Sequence, residues 1–271
     1  MIRCIRNNRL TPTGADAPDG PCENVTLARG SFRTLGRRGI IVSKTRIIES
    51  VKGLDVESTS RLLDANPSLL TVTDRNGHNL LHLACSASAG KLHASDTSSV
   101  RLAKLLLDRG LDLESSVGRD ACTPLFFAVQ RARNLRLIKA LISRRAKPAN
   151  APGGGLFAAA WWGDRDIIRI LLGAGANIDI VVGVTPFLAS WCWRRFEGAK
   201  ALAEYGANVN YQDPKNGKTA LYYGVEQEFD PALLKWLVKH GASPDIADHD
   251  GVSPKLKASR KRDKRFAAAI S

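Results

Sequence analysis

Five histidines and five cysteines are the side chains of this chain best suited to metal binding or nucleophilic chemistry, and their spacing argues against both. His78, His82, His93, His240 and His249 contain no pair at a metal-ligand spacing such as H-E-x-x-H. Cys4, Cys22, Cys85, Cys122 and Cys192 are odd in number and widely spaced, and none belongs to a C-x-x-C pair. That is neither a disulfide framework nor a zinc pattern. Cys85 and Cys122 fall in apolar helix-forming runs, where a reduced thiol behaves as a small core residue. A reducing compartment is the natural reading, and the cytoplasm is the expected location. Gly153-Gly154-Gly155 lacks the Gly-Lys-Ser/Thr that would follow in a phosphate loop, and no G-x-S-x-G occurs. An enzyme is not expected, nor a cofactor, nor a bound metal.

Recognition chemistry is better represented. Trp161, Trp162, Trp191 and Trp193 are four of the five tryptophans and lie within 33 residues. Tryptophan dominates binding hot spots because it buries a large rigid area at small entropic cost. The same residues also read as ordinary core. Upstream stand Arg131, Arg133, Arg136, Lys139, Arg144, Arg145 and Lys147, with no acid between Asp120 and Asp164. Further along, Glu226, Glu228, Asp230, Asp245, Asp248 and Asp250 outnumber Lys235 and Lys239. Such a gradient could steer a partner, or it could be a charged surface that only solvates the fold.

The net charge of +14 sits mainly at the two ends. Residues 1–48 carry nine Arg/Lys against three acids, and residues 255–271 carry seven against one. Basic ends favour anionic surfaces through counterion release without reading any sequence. They also read as solvated tails. No run approaches the apolar length of a membrane span, and residues 1–10 lack the h-region of a secretory signal. The first fifteen residues are acid-free and carry Arg3, Arg6 and Arg9, as a transit peptide would, but Pro12 and Gly14 spoil its amphipathic helix. Asn24-Val25-Thr26, without a secretory signal, is a chance glycosylation match.

The elements that must position these side chains repeat. Gly175-Ala176-Asn177-Ile178-Asp179, Gly206-Ala207-Asn208-Val209-Asn210 and Gly241-Ala242-Ser243-Pro244-Asp245 are variants of one phrase, starting 31 and then 35 residues apart. Gly110-Leu111-Asp112-Leu113-Glu114 is a weaker copy. Each follows an apolar stretch. Positions 79, 123, 154, 185, 219 and 253 open a first helix, three of them with Thr-Pro or Ser-Pro. Thr or Ser caps a helix and Pro suits its first turn, while Gly after the second helix takes the left-handed conformation that ends it.

This pattern resembles the ankyrin repeat, with its T-P-L-H-x-A opener and closing G-A-d-v-N. The resemblance covers residues 47 to about 260 and implies an all-α ankyrin-repeat solenoid of stacked helix-turn-helix units with short β-turn fingers. About six repeats over 47–271, counting terminal caps, would follow a basic flexible tail over 1–46. It implies a monomeric, non-catalytic interaction module or scaffold that binds a protein partner through its concave groove. An adaptor whose basic ends dock on nucleic acid or an anionic membrane is the alternative. Carried over by position, Phe127, Trp161, Trp162, Trp193 and Tyr223 fall on or near the groove, and with Arg131 they form the expected partner-binding set. Trp191 falls at an inward position, and His82 stands where the family has a buried, hydrogen-bonded His.

Departures from the pattern are specific. About eleven extra residues within 86–99 read as a projecting loop. Arg145-Ala146 replaces Gly-Ala, and residues 153–155 lose both cap and Pro. Gly198 stands where a branched apolar residue belongs, which predicts the weakest second helix. Lys255 falls at a core position of a terminal capping repeat.

Overall fold

A computed structural model of the chain describes residues 35–88, 96–118, 121–148 and 155–271. Six helix pairs, numbered as repeats one to six, follow an N-terminal pair, α1 (Leu35–Lys52) and α2 (Val56–Ala65). Their helices are α3 (Leu80–Ser86) and α4 (Asp96–Asp108), α5 (Pro124–Phe127) and α6 (Leu135–Ser143), and α7 (Gly155–Trp162) and α8 (Arg165–Gly173). The last three repeats hold α9 (Pro186–Cys192) and α10 (Phe196–Glu204), α11 (Ala220–Glu226) and α12 (Pro231–Lys239), and α13 (Pro254–Ser259) and α14 (Arg265–Ile270). Among the described residues the only β structure is isolated bridges, Thr73 with Asn79, Val117 with Cys122 and Val182 with Val184.

First helices start where an opener side chain turns back onto the backbone. The Thr123, Thr185, Thr219 and Ser253 hydroxyls accept from the N–H groups of Phe126, Leu188, Tyr222 and Leu256. Asn79 does the same for His82. The recurring phrase has an equally local cause. Its third residue accepts from the fifth residue's N–H, as Asp112 does from Glu114 and Asn177 from Asp179. Its fifth residue then reaches into the next repeat. Glu114 accepts from Lys147 N–H, Asp179 from Asn208 N–H and Asn210 from Ser243 N–H. One side chain therefore shapes the turn, and another, two residues on, sets the stacking period. Left-handed glycines at φ between 92° and 98° end the second helices at Gly110, Gly175, Gly206 and Gly241.

The core runs the length of the stack between first- and second-helix rows, from Ile47 and Val51 in α1 to Phe266 and Ile270 in α14. Trp191 is fully buried among Phe187, Phe196 and Phe229, at its expected inward position. His82 is buried too, with Nε2 against the Ser115 carbonyl.

Several expectations need correcting. Residues 35–46, expected as part of a tail, are the first twelve residues of α1; residues 1–34 lie outside the described residues. Of the insertion in repeat one, residues 89–95 also lie outside them, as do 153 and 154 of the irregular opener. Lys255 is exposed, because Pro254 and Ala258 carry the buried stripe of α13. Gly198 also has a packing role. It is buried, and a Cβ there would lie 1.8 Å from the carbonyl oxygen of Ala160. The missing side chain lets α10 close directly on the backbone of α7.

Candidate functional site

In repeats four and five, nine residues separate the opener from the left-handed residue that ends the first helix: Thr185 to Arg194 and Thr219 to Glu228. In repeat two the same interval, Thr123 to Arg133, is ten. The extra residue is absorbed as a π turn over Ala128–Ala132, directly after α5. Single π turns of this kind recur at functional positions because they re-aim the residues beyond them. Here the turn re-aims Arg133. From φ 50° its guanidinium forks onto Asp164 at the start of α8, with Nε and Nη2 at 2.9 and 3.0 Å from the two carboxylate oxygens. The same guanidinium lies 5.0 Å from the Trp162 ring.

The neighbouring turns extend this arrangement. Trp161, at the end of α7, meets Trp193 edge-on across the repeat boundary with ring centroids 5.3 Å apart. The Arg195 guanidinium lies 4.0 Å from the Trp161 ring. Trp162 is 38% exposed, whereas Trp161 and Trp193 are half-buried. Arg194 lies 4.7 Å over Phe229 and donates to the Gln227 carbonyl. The turns between first and second helices in repeats two to five thus form one edge, with aromatic rings at its centre and guanidiniums laid over them. Each such contact is worth about 0.5–1 kcal/mol at an exposed site, so the edge is ordered by several small terms.

Residues 156–248 match the ankyrin-repeat family, in three copies. Those residues are ankyrin repeats, and the fold of the described chain is that of ankyrin-repeat domains. The chain is similar to the BTB/POZ domain and ankyrin repeat-containing protein NBCL of Lotus japonicus, with 34% identity over 34% of this chain and 18% of that one. It also resembles the nuclear factor NF-kappa-B p105 subunit of Gallus gallus, with 28% identity over 77% of this chain and 22% of that one. The match therefore spans less than a quarter of either relative. Among solved structures, the ankyrin repeat domain of Bcl-3 superposes with a TM-score of 0.66 at 19% identity, over 83% of this chain and 97% of the other.

The ankyrin frame separates the expected site residues. Trp161, Trp162 and Trp193 come together at the far end of the first-helix row from the fingers. Phe127, expected on the groove, is 4% exposed and forms edge contacts with His78 and His82 at 5.0 and 5.6 Å. Those histidines come from repeat one and wrap a ring that alignment alone leaves outside. Arg131 is exposed, 6.0 Å from that ring. Tyr223 sits at the finger end. Its hydroxyl donates to Asp213 and accepts from Asn216, both in the finger of repeat five. Burial, together with the Asp213 carboxylate, raises its pKa, so it stays a neutral donor. Tyr222 beside it is pushed up to about 12 by burial and its bond to Asp248.

The acidic end of the ankyrin array is largely spent on its own cations. Glu226 accepts from Lys218 and from Lys257 of the last repeat, and Lys261 reaches Glu228 at 2.7 Å. Burial works to raise the Glu226 pKa, but the two ammoniums outweigh it and hold the carboxylate below its ordinary range. Asp230 caps α12. Sequence reasoning missed Arg133, Asp164 and Arg195 as parts of the edge, because the ten-residue interval in repeat two ends on a left-handed residue that only the structure identifies. Among the described residues, no cluster of His, Cys, Asp and Glu could hold a metal ion, and no helix is long and apolar enough to cross a membrane. Burial pushes Cys192 up to about 12 and Cys85 higher still, far from the thiolate a nucleophile requires.

Proposed function

We propose that this array is a non-catalytic protein-binding module, monomeric and cytoplasmic, that engages its partner along the first-helix row with Trp162, Trp161 and Trp193 as anchor. The observation that carries this reading is Trp162. A large ring stands exposed under a guanidinium that is itself locked by a bidentate ion pair, so the ring is held in place while remaining open to a partner. Rigid, accessible aromatic rings at the centre of a surface are what hot spots are made of. Arg131 flanks the anchor. Tyr223 contributes by holding the repeat-five finger at the other end of the row.

Photo-crosslinking tests this directly. Benzoylphenylalanine at position 162 should yield a protein adduct in cells. The same residue at Tyr205, an equally exposed ring after α10, should not. Identical adducts from the two positions would refute the reading.

A second reading concerns the C-terminal repeat. Arg260, Arg262 and Lys264 are exposed and make no ion pair among the described residues, whereas Lys257 and Lys261 are paired. On this reading α13 and α14 hold a basic face for anionic membrane. Sedimentation with phosphatidylserine vesicles should then weaken when the three are changed to Gln; unchanged sedimentation would dismiss it.

A further inference from the structure

Four guanidiniums lie over rings along the tryptophan edge, and two of them have a polar partner: Arg133 holds Asp164, and Arg194 donates to the Gln227 carbonyl. The other two have none among the described residues. Arg195 lies against Trp161 and Arg131 lies over Phe127, and neither side chain makes a hydrogen bond or ion pair among the described residues. Both residues are exposed. A guanidinium laid on a ring keeps its planar fork of N–H donors fixed and unfilled, which is a receptor for a planar, doubly accepting anion.

Between them, in the intervening repeat, stands Trp162. We infer that the edge binds a short extended acidic peptide in which two carboxylates, one for Arg131 and one for Arg195, flank an aromatic or large apolar side chain that packs on Trp162. This rests on the protein-binding reading above. Spacing sets the motif. Arg131 belongs to repeat two and Arg195 to repeat four, two helix-to-helix steps of about 8–10 Å each. An extended chain advances about 3.3 Å per residue, so the carboxylates stand about five or six residues apart with the apolar residue midway.

A single-stranded nucleic acid would also use aromatic stacking and cations, but it needs a continuous cationic track for a phosphate at every step. Here Asp164, Glu197 and Glu228 interrupt the edge once per repeat. Discrete forks separated by acids match discrete carboxylates.

The test is selection followed by competition. A random dodecapeptide phage library is panned on the immobilised full chain. Selected sequences should carry two acids about five or six residues apart with an aromatic or large aliphatic residue between them. A synthetic copy should lose at least tenfold in affinity when its acids become Gln, or on Arg195→Gln or Trp162→Ala in the protein, with circular dichroism unchanged. A (dT)12 oligonucleotide should not displace it. Binding that survives Arg195→Gln, or equal binding of (dT)12, overturns the inference. Peptides without acids that still depend on Trp162 sink this inference and leave the protein-binding reading standing. Peptides indifferent to Trp162, or no selected peptide at all, count against both.

Discussion

Gly198→Ala adds one methyl group and should be among the most damaging small substitutions in the chain. The ideal Cβ would lie 1.8 Å from the Ala160 carbonyl oxygen, 2.6 Å from its carbon and 2.9 Å from its Cα. All three atoms are backbone, so no rotamer relieves the clash. α10 must retreat from α7 by more than ~1 Å, and a gap of that size forfeits a quarter to a half of each contact's dispersion energy. The retreat would loosen Ala199, Ala201 and Leu202, all fully buried. Overpacking of this kind costs about 1–3 kcal/mol or more, and lost contacts add to it. Better helix propensity returns about 0.5–1 kcal/mol. The net expectation is a loss of about 2–4 kcal/mol. Gly173→Ala is the internal control. It too is helical, in the last turn of α8, but a Cβ there meets nothing within 4 Å. It should gain about 0.5–1 kcal/mol, so the same chemical change takes opposite signs at the two sites. Urea unfolding followed by far-ultraviolet dichroism and tryptophan emission reads both. With a slope of about 2–3 kcal/mol/M, the Gly198→Ala midpoint should fall by roughly 1 M. Because repeat arrays unfold by neighbouring units, emission from Trp161, Trp191 and Trp193 should change before the dichroism does. A Gly198→Ala midpoint at or above that of the parent, with unchanged slope, would refute the close-approach argument.

Three other substitutions test other parts of the fold. Arg145 occupies, at φ 68°, the left-handed position that glycine holds in the other phrases, and its side chain makes no ion pair among the described residues; Arg145→Gly should therefore raise the urea midpoint by an amount equivalent to about 0.5–1 kcal/mol, while Arg133→Gly should lower it by surrendering Asp164 and Trp162. His82 is held below its ordinary 6.5 by burial, against the hydrogen bond to the Ser115 carbonyl, so the unfolded chain takes up the proton first as pH falls. Its contribution is complete above 6.5 and is lost as pH drops through that value toward the folded pKa; stability measured against pH should lose part of that slope in His82→Gln, and an unaltered slope would disprove it.

Local rules made most of the ankyrin frame legible. Thr-Pro openers, glycine terminators and the Asn/Asp of the phrase act within a few residues of themselves, or one repeat away at fixed register, so spelling them out locates the helices. What stayed hidden depends on neighbours in space. Phe127 reads as surface until His78 and His82 close over it. Lys255 reads as core until Pro254 and Ala258 take the inner stripe. Gly198 reads as a weak point because propensity is a property of one helix, whereas its effect belongs to the crossing of two. The π turn stayed hidden because its ten-residue interval ends on a left-handed residue that only the structure identifies, and because the repeat-to-repeat spacing stays at 31.

The close crossing and the tryptophan edge have one cause. Gly198 in α10 faces Ala160 in α7, and Gly163, at the α7–α8 turn, would place a Cβ 3.1 Å from that of Glu197. Three of these four contact residues, Gly198, Ala160 and Gly163, thus carry a methyl group or nothing. Trp161 comes directly after Ala160, and Arg195 lies three residues before Gly198. Removing side chains beneath the crossing therefore brings Trp193 to Trp161 and lays Arg195 across the ring. The small residues shape the edge through packing: the helices can approach only where they are bare, and the large rings meet only because the helices have approached. A substitution that widened the crossing would separate the rings and release the guanidinium, even if every aromatic and cationic residue of the edge were still present.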